Sequence, residues 1–540
     1  MNKYIIFFLL QCATTLLIGQ YVSNVSLPDK NKPVVKDNTD LSYRYAHSIE
    51  ASSLRDHLRI LASDSLEGRE TGQLGMELAA DYIIKTIRNM GVMRFPACPD
   101  YYQSIEFTYS KWLDNDIHVN KERFRYMWDY LAFTGKNESK SLVVANEIVF
   151  LGYGIDDPKY SDYKKMDVED KVIMINRGEP LKKDGKSYIT GDTLLSVWSD
   201  KDLDKKLLTA KSKGVKLVLI IENDIKKMFE ENRSKLLGTQ LELGNTKNNI
   251  FQYPNHVFIS STIAKSIIGQ NEEKILKARK KMEKGKAESV VLPSELIINL
   301  TKDVKVLEGK NVIGYMPGKS KKDEYIIVSA HYDHLGKRGD DVFNGADDNG
   351  SGSSTLLEMA QACQQAVMEG NRPERSIVFI WFCGEEKGLL GSEYFTNFPV
   401  FPLNQTMVNV NVDMVGRIDE KYKDNPDYIY VIGSDRLSSE LHKINEDVNQ
   451  KYTQLTLDYT YNAEEDPNKF YYRSDHYNFA KNGIPIIFYF NGTHPDYHRP
   501  TDDIEKINFD TMASRGKLIF HTVWELANRA DRIVVDKIIK

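Results

Sequence analysis

An α/β domain built on a mostly parallel sheet is predicted for the C-terminal half of this chain by two observations. From about residue 297, apolar runs alternate with helical stretches, and the runs are nearly continuous rather than every second residue. That is the pattern of strands buried on both faces. Metal-type residues then recur at the ends of those runs: His331 and Asp333 after YIIVSA, Glu385 and Glu386 after SIVFIWFCG, Asp413 after MVNVNV, and His498 after PIIFYFNGT. Ligands in open α/β sheets bind beyond the carboxyl ends of the strands, so the pattern that predicts the sheet also predicts where its site lies.

The bulk numbers fit this reading. A chain of 540 residues is too long for one core, so two domains with extensions are expected. Hydrophobic residues make up 41% and charged residues 28%, with a net charge of -5. That mild acidity excludes the clustered basic face of a nucleic-acid binder. The 30 Tyr and 22 Phe exclude extended disorder.

Taken in order, residues 1–20 read as a signal peptide: Lys3 supplies the charge, Tyr4 to Leu10 the apolar stretch, and cleavage is placed near Gly19 or Gln20. Gln11, Thr14 and Thr15 leave that stretch short for a membrane span. Leu-Gln-Cys at Cys12 is a poor lipid-attachment signal. A secreted or periplasmic protein without a stable membrane span is expected. Cys98, Cys363 and Cys383 cannot form a disulfide framework and read as small buried side chains. Residues 21–45 are polar and aperiodic, a predicted linker.

Residues 46–135 are assigned to the N-terminal part of the main domain. Leu54, Leu58 and Leu61, then Leu78, Ala79, Tyr82, Ile83 and Ile87, recur at helical spacing around a loop at 66–75. Residues 136–292 are assigned to a separate insert. Its strand-like runs are 148–151, 172–175, 217–221 and 257–259, with helices near 207–213 and 270–288. It holds one histidine, His256, and no acidic constellation. Residues 293–535 are assigned to the catalytic unit, with strands at 311–315, 325–329, 377–382, 407–412, 428–432 and 485–489, and helices at 353–368, 438–452 and 509–530.

A lone histidine is usually structural and a lone Glu-Glu pair is usually solvated. Several strands delivering such residues to one edge is a different matter. Imidazole with carboxylate and no thiolate suits zinc, cobalt or manganese. A carboxylate at Asp333 can accept the free N–H of His331 and fix its tautomer. Asp347-Asp348, in a glycine-rich loop, can supply an oxygen to each of two ions. A turn at Gly384 lets one of Glu385 and Glu386 bind metal while the other faces water as a base.

At these residues the chain resembles the M28 family of zinc peptidases, in the aminopeptidase branch that carries an inserted protease-associated domain. The matching segments are SAHYDHLG (329–336), NGADDNGSG (344–352), CGEEKGLLGS (383–392), NVDMVGR (411–417), YYRSDHYNFAKNGIPIIFYF (471–490) and HRPTDD (498–503). EIVFLGYGIDDP and DKVIMINRGEP, within 147–180, resemble that family's insert, and LASDSLEGRETGQLG (61–75) its N-terminal segment.

The resemblance implies a phosphorylase/hydrolase-like three-layer sandwich around a mixed, mostly parallel sheet, with a β-rich protease-associated insert. It implies two zinc ions, one held by His331 and Asp413, the other by Glu386 and His498, with Asp348 bridging. It makes Glu385 the general base, Asp333 the orienter of His331, and Tyr471 a donor to the oxyanion. It also implies a cis peptide at Asp348–Asn349. The family pattern leaves out His334, His476 and His494. His476 reads as core or supporting, His334 and His494 as rim residues, and Asp502 and Asp503 as anchors of the His498 loop.

The expected activity is hydrolysis of N-terminal residues from peptides, with peptides as the partners. Rivals are a carboxypeptidase gripping the substrate carboxylate through Arg473 or Arg499, a single-zinc glutaminyl cyclase, and a non-catalytic binding protein of the same fold. The walls of the substrate pocket are expected from loops 336–344 and 455–470.

Overall fold

The computed structural model describes residues 24–135, 138–164, 166–199, 203–244 and 253–538; the expected signal peptide and Cys12 lie outside them. Helices lead into the fold, beginning with the short Leu41–Ala46. In α1 (Ala51–Leu61) the buried face is Leu54, Leu58 and Leu61. The next helix, α2 (Leu74–Met90), ends on Gly91, whose φ of +83° makes the left-handed cap that a Cβ disfavours.

The chain then enters the insert along β1 (Tyr102–Val119). Its parallel strands are β2 (Lys140–Phe150), β3 (Val172–Asn176), β4 (Leu217–Ile221) and β5 (Asn255–Ile259), paired in that order. β3, β4 and β5 match the apolar runs at 172–175, 217–221 and 257–259, while β2 begins eight residues before its run at 148–151. The chain returns along β6 (Val290–Met316), whose first part pairs with β2 and whose last five residues enter the main sheet. Since β1 runs antiparallel to β6 over most of its length, this two-stranded ribbon belongs to both units.

The insert therefore begins earlier than residue 136. Ile117, Val119, Phe124, Tyr130 and Ala132 pack in one core with Met174, Leu219 and Ile298, while Ile105 and Phe107 pack with the main domain. A strand that crosses between two cores carries no composition break, so the sequence offers no mark for the true boundary.

The main sheet continues through β7 (Lys321–His331), the helix α3 (Gly352–Met368), β8 (Arg375–Phe382), β9 (Thr406–Val412) and β10 (Tyr428–Ile432). It closes with α4 (Ser439–Val448), β11 (Ile486–Phe490) and α5 (Phe509–Asn528). The order across the sheet is β6–β8–β7–β9–β11–β10. The four central strands are parallel, the pairings β6–β8 and β11–β10 are antiparallel, and the short strand Thr456–Asp458 extends the sheet parallel to β10. This is the mixed, mostly parallel sheet expected.

Both faces are covered, and side-chain alternation sorts the residues. Ile326, Val328, Phe379, Trp381, Val410 and Tyr489 pack with residues of α1, α2, α3 and α5. Ile327, Val378, Ile380, Phe382 and Ile486 face the other way, onto Phe395, Phe401 and Phe479. Helix, sheet and helix make three layers.

Residues 24–45 are not a free linker. Asp29 N–H donates to Gln450 Oε1 at 2.7 Å, and Lys30 Nζ to the Gln454 carbonyl at 2.6 Å. Val25 and Ser26 pair with Asp458 and Leu457, and Ser42 Oγ lies 2.7 Å from His521 Nδ1. The segment is polar because its backbone and side chains bond to the C-terminal half, not because it is unattached. Among the described residues no helix is long and apolar enough to cross a membrane. Cys98, Cys363 and Cys383 are free and buried.

Candidate metal centre

Register explains why residues far apart in sequence meet. His331, the last residue of β7, lies opposite Phe382, the last of β8, and Val412, the last of β9, lies opposite Tyr489 of β11. The residues just past these ends share one edge. Asp348 sits at its centre. Its Oδ1 is 3.4 Å from His331 Nε2 and its Oδ2 3.0 Å from His498 Nε2. Around His331 stand Asp413 Oδ1 at 3.4 Å and Glu385 Oε2 at 3.9 Å. Around His498 stands Glu386 Oε2 at 3.3 Å. Each half of the centre thus has an imidazole, and each imidazole faces a different oxygen of Asp348.

Local structure holds each donor. The peptide Asp348–Asn349 is cis. Asn349 ties its loop to the end of β9: its Nδ2 donates to the Val412 carbonyl and its Oδ1 accepts from Met414 and Gly352 N–H. Gly384, with φ +75°, turns the chain so that Glu385 and Glu386 both enter the centre. Ser474 Oγ donates to Asp413 Oδ2 at 2.7 Å. His498 itself has φ +56° and is the most exposed of these donors.

Several sequence expectations need correction. The His331 Nδ1 partner is the backbone carbonyl of Asp333 at 3.1 Å, not its carboxylate, which lies 3.8 Å away. That carboxylate instead accepts from Thr71 Oγ1 at 2.6 Å and from Glu385 N–H at 3.2 Å. His334 and His494 are buried, not rim residues. His334 Nδ1 is 2.7 Å from Glu386 Oε1, and His494 Nε2 is 3.2 Å from Asp347 Oδ2. Buried His476 shares a hydrogen bond with the Tyr471 carbonyl, a core role. Asp502 clamps the Asp348 loop by accepting the N–H groups of Asp347 and Asp348, and Asp503 accepts from Asn344.

The cavity over the centre measures about 310 Å³. Leu389, Met414, Phe470, Phe488 and Phe490 line it, with Tyr472, Arg473 and Tyr497. Loop 336–344 takes no part in its wall, and of 455–470 only Phe470 does. Tyr471 stands outside, lining a neighbouring cavity beneath Arg436. Tyr497 is inside, stacked on His498 with ring centroids 3.9 Å apart, and its hydroxyl accepts from Arg473 at 3.2 Å.

The two adjacent glutamates titrate apart. Burial, then the charges of Asp413, Glu386 and Asp475, push Glu385 well above the usual carboxylate range despite His331. Burial and Asp348 also push Glu386 up, but close contacts with His334 and His498 outweigh them and bring it to about 2. Burial resists ionisation of Asp348, yet His331 and His498 hold it well below its ordinary value. Burial disfavours charge on His498, but Asp348 and Glu386 prevail and lift it to about 10.

Sequence reasoning missed Arg69. It is buried at the back of the centre and donates to the carbonyls of Tyr332, Leu61, Asn344 and Gly345. Burial lowers its pKa to about 10, so it stays charged at neutral pH against Asp348, Asp333, Asp502 and Glu386. The segment that holds it, LEGRETG, reads as a charged loop until one asks what a buried arginine there would balance.

Residues 311–523 match the model of peptidase family M28. A probable leucine aminopeptidase of Trichophyton verrucosum is 34% identical over 219 residues, 39% of this chain and 56% of that protein. Aminopeptidase YwaD of Bacillus subtilis is 31% identical over 228 residues, 41% of this chain and 45% of that protein. The chain thus spans about half the length of these curated relatives. The fold as a whole is that of an aminopeptidase from Aneurinibacillus sp. strain AM-1, at 20% identity and a TM-score of 0.50, covering 92% of this chain and 98% of the other. The segment similar to peptidase family M28 runs from the end of β6 into α5 and carries every donor of the centre.

Proposed function

We propose that this chain is a secreted or periplasmic exopeptidase that binds two zinc ions and removes N-terminal residues from peptides. The observation that carries the reading is Asp348, placed between two histidines with one oxygen toward each. Two imidazoles and three carboxylates without a thiolate are a donor set that zinc accepts. Glu386 Oε1 is buried without a hydrogen-bond partner, as a ligand atom would be before its ion arrives. In this reading His331 and Asp413 would hold one ion, Glu386 and His498 the other, and Asp348 would be shared between them. Bound there, the ions would supply Lewis-acid polarisation of a carbonyl and acidify water.

The rest falls to side chains. Glu385, held well above the usual carboxylate range by burial, takes the proton of the attacking water and delivers it to the leaving amine. Glu386, kept ionised, is suited to ligation; environments that push paired carboxylates apart separate base from ligand. Asp333 fixes Glu385 through its N–H. The oxyanion role expected of Tyr471 fits Tyr497 better, since Tyr497 lines the cavity beside His498 and carries a hydroxyl polarised by Arg473. The apolar wall suits a hydrophobic side chain at the cleaved residue.

Arg473 is the one observation that favours a carboxypeptidase, because it offers a guanidinium to a terminal carboxylate inside the cavity. Hydrolysis of an aminoacyl-p-nitroanilide panel by chelator-stripped protein, with and without zinc, tests the main reading. Zinc-restored cleavage that disappears in Glu385→Ala supports it. Cleavage of an N-blocked peptide and not of a C-blocked one transfers the assignment to a carboxypeptidase. Protein that binds no zinc overturns both.

A further inference from the structure

His334 is a buried polar group beside the centre that the proposed ligand set does not use. Its side chain is fully buried, yet neither ring nitrogen has a hydrogen-bond partner. Nδ1 lies 2.7 Å from Glu386 Oε1, which is also buried and without a hydrogen-bond partner. Two complementary atoms at that distance, not aligned as a hydrogen bond, leave both desolvated groups unsatisfied. The geometry has another natural cause. Ligands on adjacent vertices of one ion approach each other closely while their lone pairs point at the ion and not at each other.

The neighbours support that cause. Nδ1 is also 3.8 Å from Asp348 Oδ2, the oxygen that faces His498 Nε2 at 3.0 Å. Donor atoms of His334, Asp348 and Glu386 converge closely enough to share a cation. His494 and Asp347 make a similar unaligned contact at 3.2 Å, but among the described residues no third donor joins them in such a group. The rings of His334 and His498 meet edge to face, with centroids 5.9 Å apart, so both fit around one position without a clash. Glycine at 345 leaves the space the ring needs, because a Cβ there would collide with His334.

We propose that His334 Nδ1 is an additional ligand of the ion held by Glu386, His498 and Asp348, giving that position two imidazoles where the other has one. This rests on the metal reading above. Two neutral nitrogen donors on one side make the two positions unequal, and the nitrogen-richer one the tighter for zinc.

The test begins with anomalous diffraction from zinc-loaded wild-type protein, which needs no variant to fold. An Nδ1–zinc distance of about 2.0–2.1 Å is expected. A distance beyond about 3 Å, where no such bond exists, overturns the proposal. Calorimetric zinc titration of chelator-stripped wild type, His334→Ala and His334→Gln follows. Loss of a ligand should weaken one of two binding steps beyond the roughly 10–100-fold that a mere supporting partner costs, in both variants. Two unchanged steps in either folded variant overturn the proposal while leaving the exopeptidase reading intact. Wild-type protein that takes up no zinc overturns both.

Discussion

Asp333→Asn isolates the contact that joins the N-terminal segment to the proposed base. The wild-type carboxylate is buried and accepts twice, from Thr71 Oγ1 at 2.6 Å and from Glu385 N–H at 3.2 Å. A carboxamide keeps one acceptor and turns the other oxygen into a donor. Whichever way it flips, one existing donation is lost: an N–H turned to Glu385 meets another N–H, and one turned to Thr71 Oγ1 makes the hydroxyl an acceptor and leaves its O–H without one. One hydrogen bond to a charged acceptor is lost, at about 1.5–3 kcal/mol, and a buried donor is left unmet, at about 1–3 kcal/mol. The charge lost from an anionic pocket returns part of this, since burial and Glu386 already raise the Asp333 pKa. A net loss of about 2–4 kcal/mol lowers Tm by roughly 5–10 °C for a domain of this size. The chain has two cores, so Tm differences are the sound measure, not a single unfolding free energy. The decisive assay is a double-mutant cycle with Thr71→Val. Valine removes the donor that the amide meets, so Thr71→Val should cost less in the Asp333→Asn background than in the wild type, by about 1 kcal/mol or more. Because Glu385 N–H loses its partner or its position, kcat should fall about tenfold or more with KM little changed. Additive Tm changes and unaltered kcat would refute the argument that Asp333 acts through these two bonds.

Three other outcomes are expected. Glu385→Gln should lower kcat/KM by about 10²–10⁴ while zinc content, read by atomic absorption, stays at the wild-type value; a variant that has lost metal would show Glu385 to be a ligand. Chelation should lower Tm, and zinc at a thousandfold excess over Kd should restore about 4 kcal/mol, because the ion binds only the folded carboxylate cluster; a Tm indifferent to zinc contradicts this. Burial lowers the His521 pKa to about 3. The unfolded chain therefore binds the extra proton between about pH 6.5 and 3, and stability falls as pH drops through that window. His521→Gln should flatten the wild-type loss of Tm between pH 7 and 4, and an equally steep profile in the variant would remove His521 as a cause.

The C-terminal half was legible because one constraint wrote it twice. A strand buried on both faces must be mostly apolar where it is buried, as β7 is from Tyr325 to Ala330, β8 from Ile377 to Phe382 and β11 throughout, while β9 hydrogen-bonds its Asn409 and Asn411 to Ser329 and Ser474; a site at their carboxyl ends must then begin where the apolar run stops. His331, Asp413 and the pair Glu385–Glu386 were visible for that reason. Contacts across the fold left no such trace. His334 follows His331 by three residues and looks like a loop histidine, because nothing local says that Gly345 opens a space for its ring. Tyr471 and Tyr472 are adjacent in the turn Phe470–Tyr472 and both line the neighbouring cavity, yet only Tyr472 also reaches the one over the centre. The domain boundary was lost for a related reason. The ribbon of β1 and β6 is covered by one core at one end and by another at the other, while each strand keeps an ordinary strand's composition.

The role of Arg69 follows from the same electrostatics that make the centre useful. A site that collects Asp348, Glu385, Glu386 and Asp413 at one buried edge has an excess of negative charge to stabilise before any cation binds. Spreading a compensating charge among the donors would occupy the lone pairs that a cation needs. The fold avoids this by placing one guanidinium behind the centre and directing its hydrogen bonds to backbone carbonyls, among them Asn344 and Gly345 at the start of the Asp348 loop. Its charge is felt by Asp348 and Glu386 while its N–H groups leave their oxygens free. A fixed countercharge that does not hydrogen-bond the donors holds the loop in place and leaves the front of the centre open to a cation. That is why the N-terminal segment, far from the catalytic motifs in sequence, is part of the site.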